Sequence, residues 1–242
     1  MKRLVRLVLR RPSKPAEPPG RPRLLLFDFD GTIADTFDDG FQILNQLAGE
    51  FGFRPLAKED LEKARDMRTR ELMKFLGIPM TKMSRIARRG SEELHARMPH
   101  VKPLPGVPEL LRELHAAGFD LGIVTSNTES NVRMFLQKFD LDFFSFIRSS
   151  SKLLGKAHEI RGVLKIQKVR AADVLFIGDE TRDIEASQKA GIRIAAVTWG
   201  YNSRRSIEAM KPDFIFDTAE ALAIQLREMS ALGVVTRISP SK

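Results

Sequence analysis

Residues 24–32 read Leu-Leu-Leu-Phe-Asp-Phe-Asp-Gly-Thr, and the fold follows from how this stretch is read. Four consecutive apolar residues are too few for a buried helix and too uniform for a half-exposed strand. They predict a strand over 24–28 that is covered on both faces, as the strands of parallel sheets are. Such a strand delivers Asp28 to its carboxyl end, the edge where open α/β sheets bind what they bind. Asp30 lies two residues on, on the same side of an extended chain, unless the turn at Gly31 swings it outward.

Working outward, short apolar runs alternate with helical periodicity from Leu24 onward, the pattern of a parallel sheet with helices between its strands. Further strands are predicted over 120–125, 143–147, 174–177, 194–198 and, more weakly, 214–216. Val107, Leu110, Leu111 and Leu114 recur at helical spacing and stop at Gly118; Val132, Phe135, Leu136 and Phe139 form a second stripe. The segment after the first strand breaks this alternation. It has no convincing strand, yet Phe37, Phe41, Leu44, Leu47 and Phe51 make a helical stripe, with further helical pieces around Leu61, over 72–76 and over 83–98. The expected fold class is therefore α/β, a Rossmann-like doubly wound parallel sheet core with an inserted all-helical domain. Its expected parts are a basic, proline-rich, disordered extension over 1–23, the core over 24–34 and 102–228, the insert over 35–101 and a C-terminal tail over 229–242. The KPLPG stretch at 102–106 serves as the return linker.

Composition narrows the possibilities. The chain has 242 residues and no cysteine, which excludes disulfides, thiolate metal sites and cysteine nucleophiles and points to a reducing, cytoplasmic setting. Of the net charge of +9, +7 belongs to the first 23 residues, where eight lysines and arginines face only Glu17. The remainder is nearly balanced, so no nucleic acid is expected as a partner. Arg6 interrupts the apolar part of the extension and no other apolar run approaches a membrane span. The oligomeric state is not legible.

Three more strand ends carry polar groups. Val174, Leu175, Phe176 and Ile177 lead into Gly178, Asp179, Glu180, Thr181, Arg182 and Asp183, so that Asp179 ends a strand and Asp183 falls one turn into the next helix. Two carboxylates near Asp28 and Asp30 would repel without a cation between them, and hard oxygen ligands favour magnesium. Leu121 to Thr125 is followed by Ser126 and Asn127, whose hydroxyl and amide suit a phosphoryl oxygen. Lys156, after Gly155 at a predicted helix start, brings a positive charge to the same oxygens and fits better than Lys152.

DFDGT at 28–32, VTSN at 124–127, GK at 155–156 and GDETRD at 178–183 resemble, in this order, the four motifs of the haloacid-dehalogenase-like hydrolases. The resemblance extends over about residues 24–226, and the insert is similar to the family's C1-type helical cap. It implies a magnesium-dependent phosphatase of the phosphoglycolate-phosphatase-like kind, acting on a small phosphate ester through an aspartyl-phosphate intermediate. By position, Asp28 resembles the nucleophile and Asp30 the general acid and base. Ser126, Asn127 and Lys156 resemble the phosphate-binding groups. Asp28, Asp179, Asp183 and the carbonyl of Asp30 resemble the magnesium ligands.

Within that family the acid at position 30 and the pair at 179 and 183 favour phosphoryl transfer over carbon–halogen hydrolysis. A phosphomutase shares the motifs, and a catalytically silent binding protein would keep only the fold. In the cap, Arg68 and Arg70 are candidate contacts to the unreacting half of the substrate, against the plainer reading of an exposed charged loop. The four histidines, at 95, 100, 115 and 158, show no ligand spacing and read as surface or partly buried residues. Glu180 reads as a surface carboxylate, and Trp199, Gly200 and Tyr201 as packing at the sheet edge.

Overall fold

The computed structural model describes residues 21–150 and 155–235, with side-chain surroundings through 229. Most of the basic extension, Lys152 and the last residues of the expected tail lie outside them. Six strands form one parallel sheet: β1 (Leu24–Phe27), β2 (Asp120–Thr125), β3 (Phe146–Ser149), β4 (Val174–Gly178), β5 (Arg193–Val197) and β6 (Phe214–Phe216), in the order β3-β2-β1-β4-β5-β6. Every pairing is parallel. The chain builds outward from β1 to β3, then crosses back to β4 on the other side of β1. That reversal opens a crevice at the carboxyl ends of β1, β2 and β4, the topological switch point of a doubly wound sheet.

Alternate residues of each strand enter opposite cores. Leu25, Phe27, Leu121, Ile123, Leu175 and Ile177 join one cluster with α5 (Val107–Ala116), α6 (Glu129–Lys138) and α10 (Ala219–Val235). Leu24, Leu26, Val174, Phe176 and Ile194 join the other with α7 (Lys156–Ile166), α8 (Thr181–Ala190) and α9 (Arg204–Ala209). Burial on both faces explains why β1 and β4 are uninterrupted apolar runs.

The insert contains α1 (Phe37–Phe51), α2 (Leu61–Arg65), α3 (Thr69–Phe75) and α4 (Met83–Arg97) around an apolar cluster of their own that includes Ile43, Leu47, Phe51, Leu76 and Ile86. It returns to the core where Asp35 N donates to Lys102 O and Leu104 N to Ile33 O. Leu94 packs against this cluster and against the main core, so the end of α4 lies at the junction.

Two boundaries differ from expectation. β3 begins at Phe146 rather than at 143, because Phe143 and Phe144 are a stacked pair in the preceding loop, Phe143 against His115 and Phe144 edge-on to Phe27. Their hydrophobicity serves packing, not pairing. α10 runs on to Val235, past the boundary expected at 228, and Met229 is buried in line with Leu222 and Leu226. Among the described residues no helix is long and apolar enough to cross a membrane.

Candidate active site

The four motif segments meet in the crevice. Asp28 follows β1, Asp179 follows β4, and Asp183 stands in the first turn of α8; one carboxylate oxygen from each lies within 4.8 Å of the others, and all three residues are buried. Like charges at that spacing in a dry pocket call for a cation. Lys156, at the start of α7, supplies one charge. Its Nζ lies 2.6 Å from Asp28 Oδ2 and 2.5 Å from Asp183 Oδ1. Burial lowers the lysine pKa, but the charges of Asp183 and Asp28 outweigh that and raise it. Asp179 and Asp183 are both raised, chiefly by burial. Lys156 and the nearby Arg182 are two cations against Asp28, Asp179, Asp183 and Glu180, which leaves the cluster under-neutralised, and three hard oxygen donors fit a divalent cation. Asp28 Oδ1 accepts the Phe29 N–H at 2.8 Å, while Oδ2 accepts no well-aligned hydrogen bond despite the nearby lysine.

Glycine packing holds these acids in place. Thr32 Oγ1 donates to Asp179 Oδ1 at 2.6 Å, and the Tyr201 N–H donates to Oδ2 at 2.7 Å. A Cβ at Gly31 or Gly200 would run into Asp179 Oδ2, and one at Gly178 would meet Asp183 Oδ2. Gly31 also has φ of +74°, the left-handed turn that redirects Asp30.

Asp30 faces a different partner. Asn127 Nδ2 donates to Asp30 Oδ1 at 3.0 Å and to Oδ2 at 3.1 Å. Burial first, and then the charge of Asp28, push the Asp30 carboxyl up to about 7. Such a group exchanges protons near neutrality, as a general acid and base must. Ser126 Oγ, at the end of β2, accepts from Arg182 Nη2 at 3.2 Å.

Glu180, Gly200 and Tyr201, read from the sequence as bystanders, and Arg182, which had no reading of its own, belong to this neighbourhood. Arg182 directs its guanidinium toward Ser126, is paired with Glu180 at 2.5 Å, and has a buried Nε with no partner. Glu180 is accordingly no surface carboxylate, since its side chain is only 16% exposed. Their place inside the GDETRD motif was the available signal, but spacing alone does not tell which way a side chain turns. Gly200 and Tyr201 line the acid cluster instead of the sheet edge. Tyr201 also donates to Thr36 O at 2.8 Å, where the insert begins. Arg65 of α2 donates to Gly200 O at 3.1 Å and to Tyr201 O at 3.3 Å, and Asn202 Nδ2 donates to Arg65 O at 2.8 Å, so the insert is seated on this loop. Arg68 and Arg70 are exposed at the rim of a cavity of about 300 Å³ that they share with Arg182, Lys189, Glu71 and Glu185.

A doubly wound sheet with a buried carboxylate triad, a bridging lysine and a raised carboxyl beside them defines an acid-rich site at the switch point of an α/β fold, suited to a cation and an anionic ligand. Residues 25–197 match the family described as haloacid dehalogenase-like hydrolase. A phosphoglycolate phosphatase of Synechococcus elongatus is 33% identical over 82% of this chain and 94% of its own length. Another from Agrobacterium fabrum is 29% identical over 89% of this chain and 95% of its own. The structure of a predicted phosphatase from Clostridium acetobutylicum superposes with a TM-score of 0.73 at 22% identity, covering 86% of this chain and 99% of that one, a likeness of fold. The chain belongs to the haloacid dehalogenase-like hydrolases, and it is a phosphatase of phosphoric monoesters.

Proposed function

We propose that the enzyme hydrolyses a small phosphomonoester in two steps through a phosphorylated Asp28. The observation that carries this reading is the meeting of Asp28, Asp179, Asp183 and Lys156 in one buried cluster beside Asp30. In the first step an oxygen of Asp28 bonds to phosphorus, the bond to the leaving oxygen breaks, and Asp30 gives that oxygen its proton. In the second, Asp30 takes a proton from water as the water oxygen bonds to phosphorus. The acyl phosphate bond then breaks, releasing inorganic phosphate and restoring Asp28. Lys156 offsets the repulsion between the Asp28 carboxylate and the phosphate, and Ser126 and Arg182 orient the phosphoryl oxygens. Asn127 acts mainly by fixing Asp30. Asp28, Asp179, Asp183 and the carbonyl of Asp30 would hold magnesium, which would supply electrostatic neutralisation to the phosphoryl group.

Phosphoglycolate is the first substrate to test. The names of the curated relatives support it, and Arg68 and Arg70, at the rim of the cavity that Arg182 also lines, offer guanidinium groups to a carboxylate. Residues 35–101 act as the cap in this reading, and the cysteine-free composition supports a cytoplasmic setting. Phosphate release from an aryl phosphate and from phosphoglycolate, with and without magnesium, tests the proposal. Activity that requires the metal and disappears in Asp28→Asn is expected; activity that survives Asp28→Asn refutes the nucleophile.

A further inference from the structure

A single file of side chains runs from the insert to Asp30. His95, in the last turns of α4, is hydrogen-bonded through Nδ1 to Asn131 Oδ1 on α6. Asn131 Nδ2 donates to Asn127 Oδ1 at 2.8 Å, and Asn127 Nδ2 donates to both oxygens of Asp30. Asn131 is fully buried and Asn127 is 4% exposed, so neither amide has water as an alternative partner.

The direction of this file is fixed at Asn127. Its Oδ1 accepts from the Thr128 N–H, so Asn127 presents its NH2 to Asp30 and its oxygen to Asn131 whether or not Asp30 carries a proton. Asn131 must then present its NH2 to Asn127 and its oxygen to His95, which leaves the proton on His95 Nδ1. Each bond polarises the next in the same sense, toward Asp30. The four residues come from α4, α6 and the turns after β2 and β1, and only the first belongs to the insert.

We propose that His95 and Asn131 are positioning residues that tie the orientation of the Asp30 carboxyl to the seating of the helical insert on the core. The inference rests on the reading of Asp30 as general acid and base. With α4 seated, the file is complete and Asp30 is held toward the leaving oxygen. When the end of α4 moves away, Asn131 Oδ1 loses its donor in a buried site, the amides are freed to reorient, and Asp30 loses its brace. Thr128 N also donates to Asn127 Oδ1 at 2.8 Å, so part of the brace survives locally. Proton delivery is thereby coupled to the seating of the insert on the core.

The test compares kcat/KM for an aryl phosphate, whose leaving group departs without a proton, with that for an alkyl phosphate, whose leaving group needs one. It is run with magnesium on the parent, His95→Ala, His95→Asn, Asn131→Ala and Asp30→Asn. His95→Ala and Asn131→Ala are expected to lose about tenfold on the alkyl ester, a part of the ~10² to 10⁴ that proton transfer contributes, and less than about twofold on the aryl ester. His95→Asn, which can place an N–H where Nδ1 stood, restores the alkyl activity. His95 is exposed, so its variants keep the fold even where Asn131→Ala does not. If Asp30→Asn discriminates between the esters and the His95 variants behave as the parent, or lose both esters equally, the positioning role is overturned. If Asp30→Asn itself does not discriminate, the acid and base reading fails, and this inference fails with it.

Discussion

Gly200 lies so close to Asp179 that a Cβ at position 200 would overlap Asp179 Oδ2 and the carbonyl oxygen of Gly31. The glycine is thus the wall against which a candidate metal ligand rests. Gly200→Ala is expected to push Asp179 off its position, at an overpacking cost of about 1–3 kcal/mol. The magnesium concentration for half-maximal phosphatase activity should rise about tenfold or more. A metal titration of parent and variant checks this, and an unchanged midpoint shows that Asp179 does not depend on the wall.

Removing Lys156 leaves Asp28 and Asp183 buried with less neutralisation. Deleting one partner of a buried ion pair costs about 3–5 kcal/mol when nothing replaces it. Lys156→Met should therefore melt well below the parent in chelator and recover much of the difference when magnesium is added. Its turnover should stay at least about 100-fold down even when folded, because in the proposed mechanism the lysine charge also offsets that of the transferred phosphoryl group. Melting curves with and without magnesium, beside steady-state rates, separate the two roles.

Stability in chelator and the gain from added magnesium should respond to pH in opposite ways. Asp30 is pushed up to about 7, and Asp179 and Asp183 are raised as well. A carboxyl raised above its unfolded value of about 4 holds its proton better when folded, so its contribution is present at low pH and is lost as pH climbs toward about 7. Asp66, Asp173 and Asp217 are lowered and act below that window. In chelator the melting temperature should fall between about pH 5 and about pH 8, while the gain from magnesium grows, since the ion binds the deprotonated groups. A magnesium shift that is constant across this range contradicts the assignment of the raised carboxyls to the metal site.

Arg182 and the rim arginines should leave different kinetic signatures. Arg182 touches Ser126 and is braced by Glu180, so Arg182→Lys, which loses the planar fork, should weaken inhibition by inorganic phosphate about tenfold on any substrate. Arg68→Ala and Arg70→Ala should raise KM for a carboxylate-bearing substrate and spare an aryl phosphate. If both rim variants match the parent on every substrate, they are a solvated face.

Much of this was legible from residue order. The runs before Asp28, Ser126 and Asp179 name their strands because burial on both faces demands continuous apolar residues, and the acids follow where each run stops. The stripe through Leu47 and Phe51 marks the insert for the same kind of reason, a period of 3.6. Phe143 and Phe144 misled because an apolar pair in a packed loop and an apolar pair in a strand look alike locally.

The sequence by itself therefore determined the α/β class, the helical insert and which acids stand at strand ends, since periodicity and turn chemistry act over a few neighbouring residues. Only the tertiary structure decided that Asn127 serves Asp30, that Glu180 and Arg182 turn inward as a pair, that Gly200 walls Asp179, and that His95 reaches Asn131. Those relationships join residues 97, 21 and 36 positions apart, or turn on the direction of one side chain, as with Arg182. Direction and distant contact are set by packing density and by the need of buried polar groups for partners, neither of which has a period along the chain.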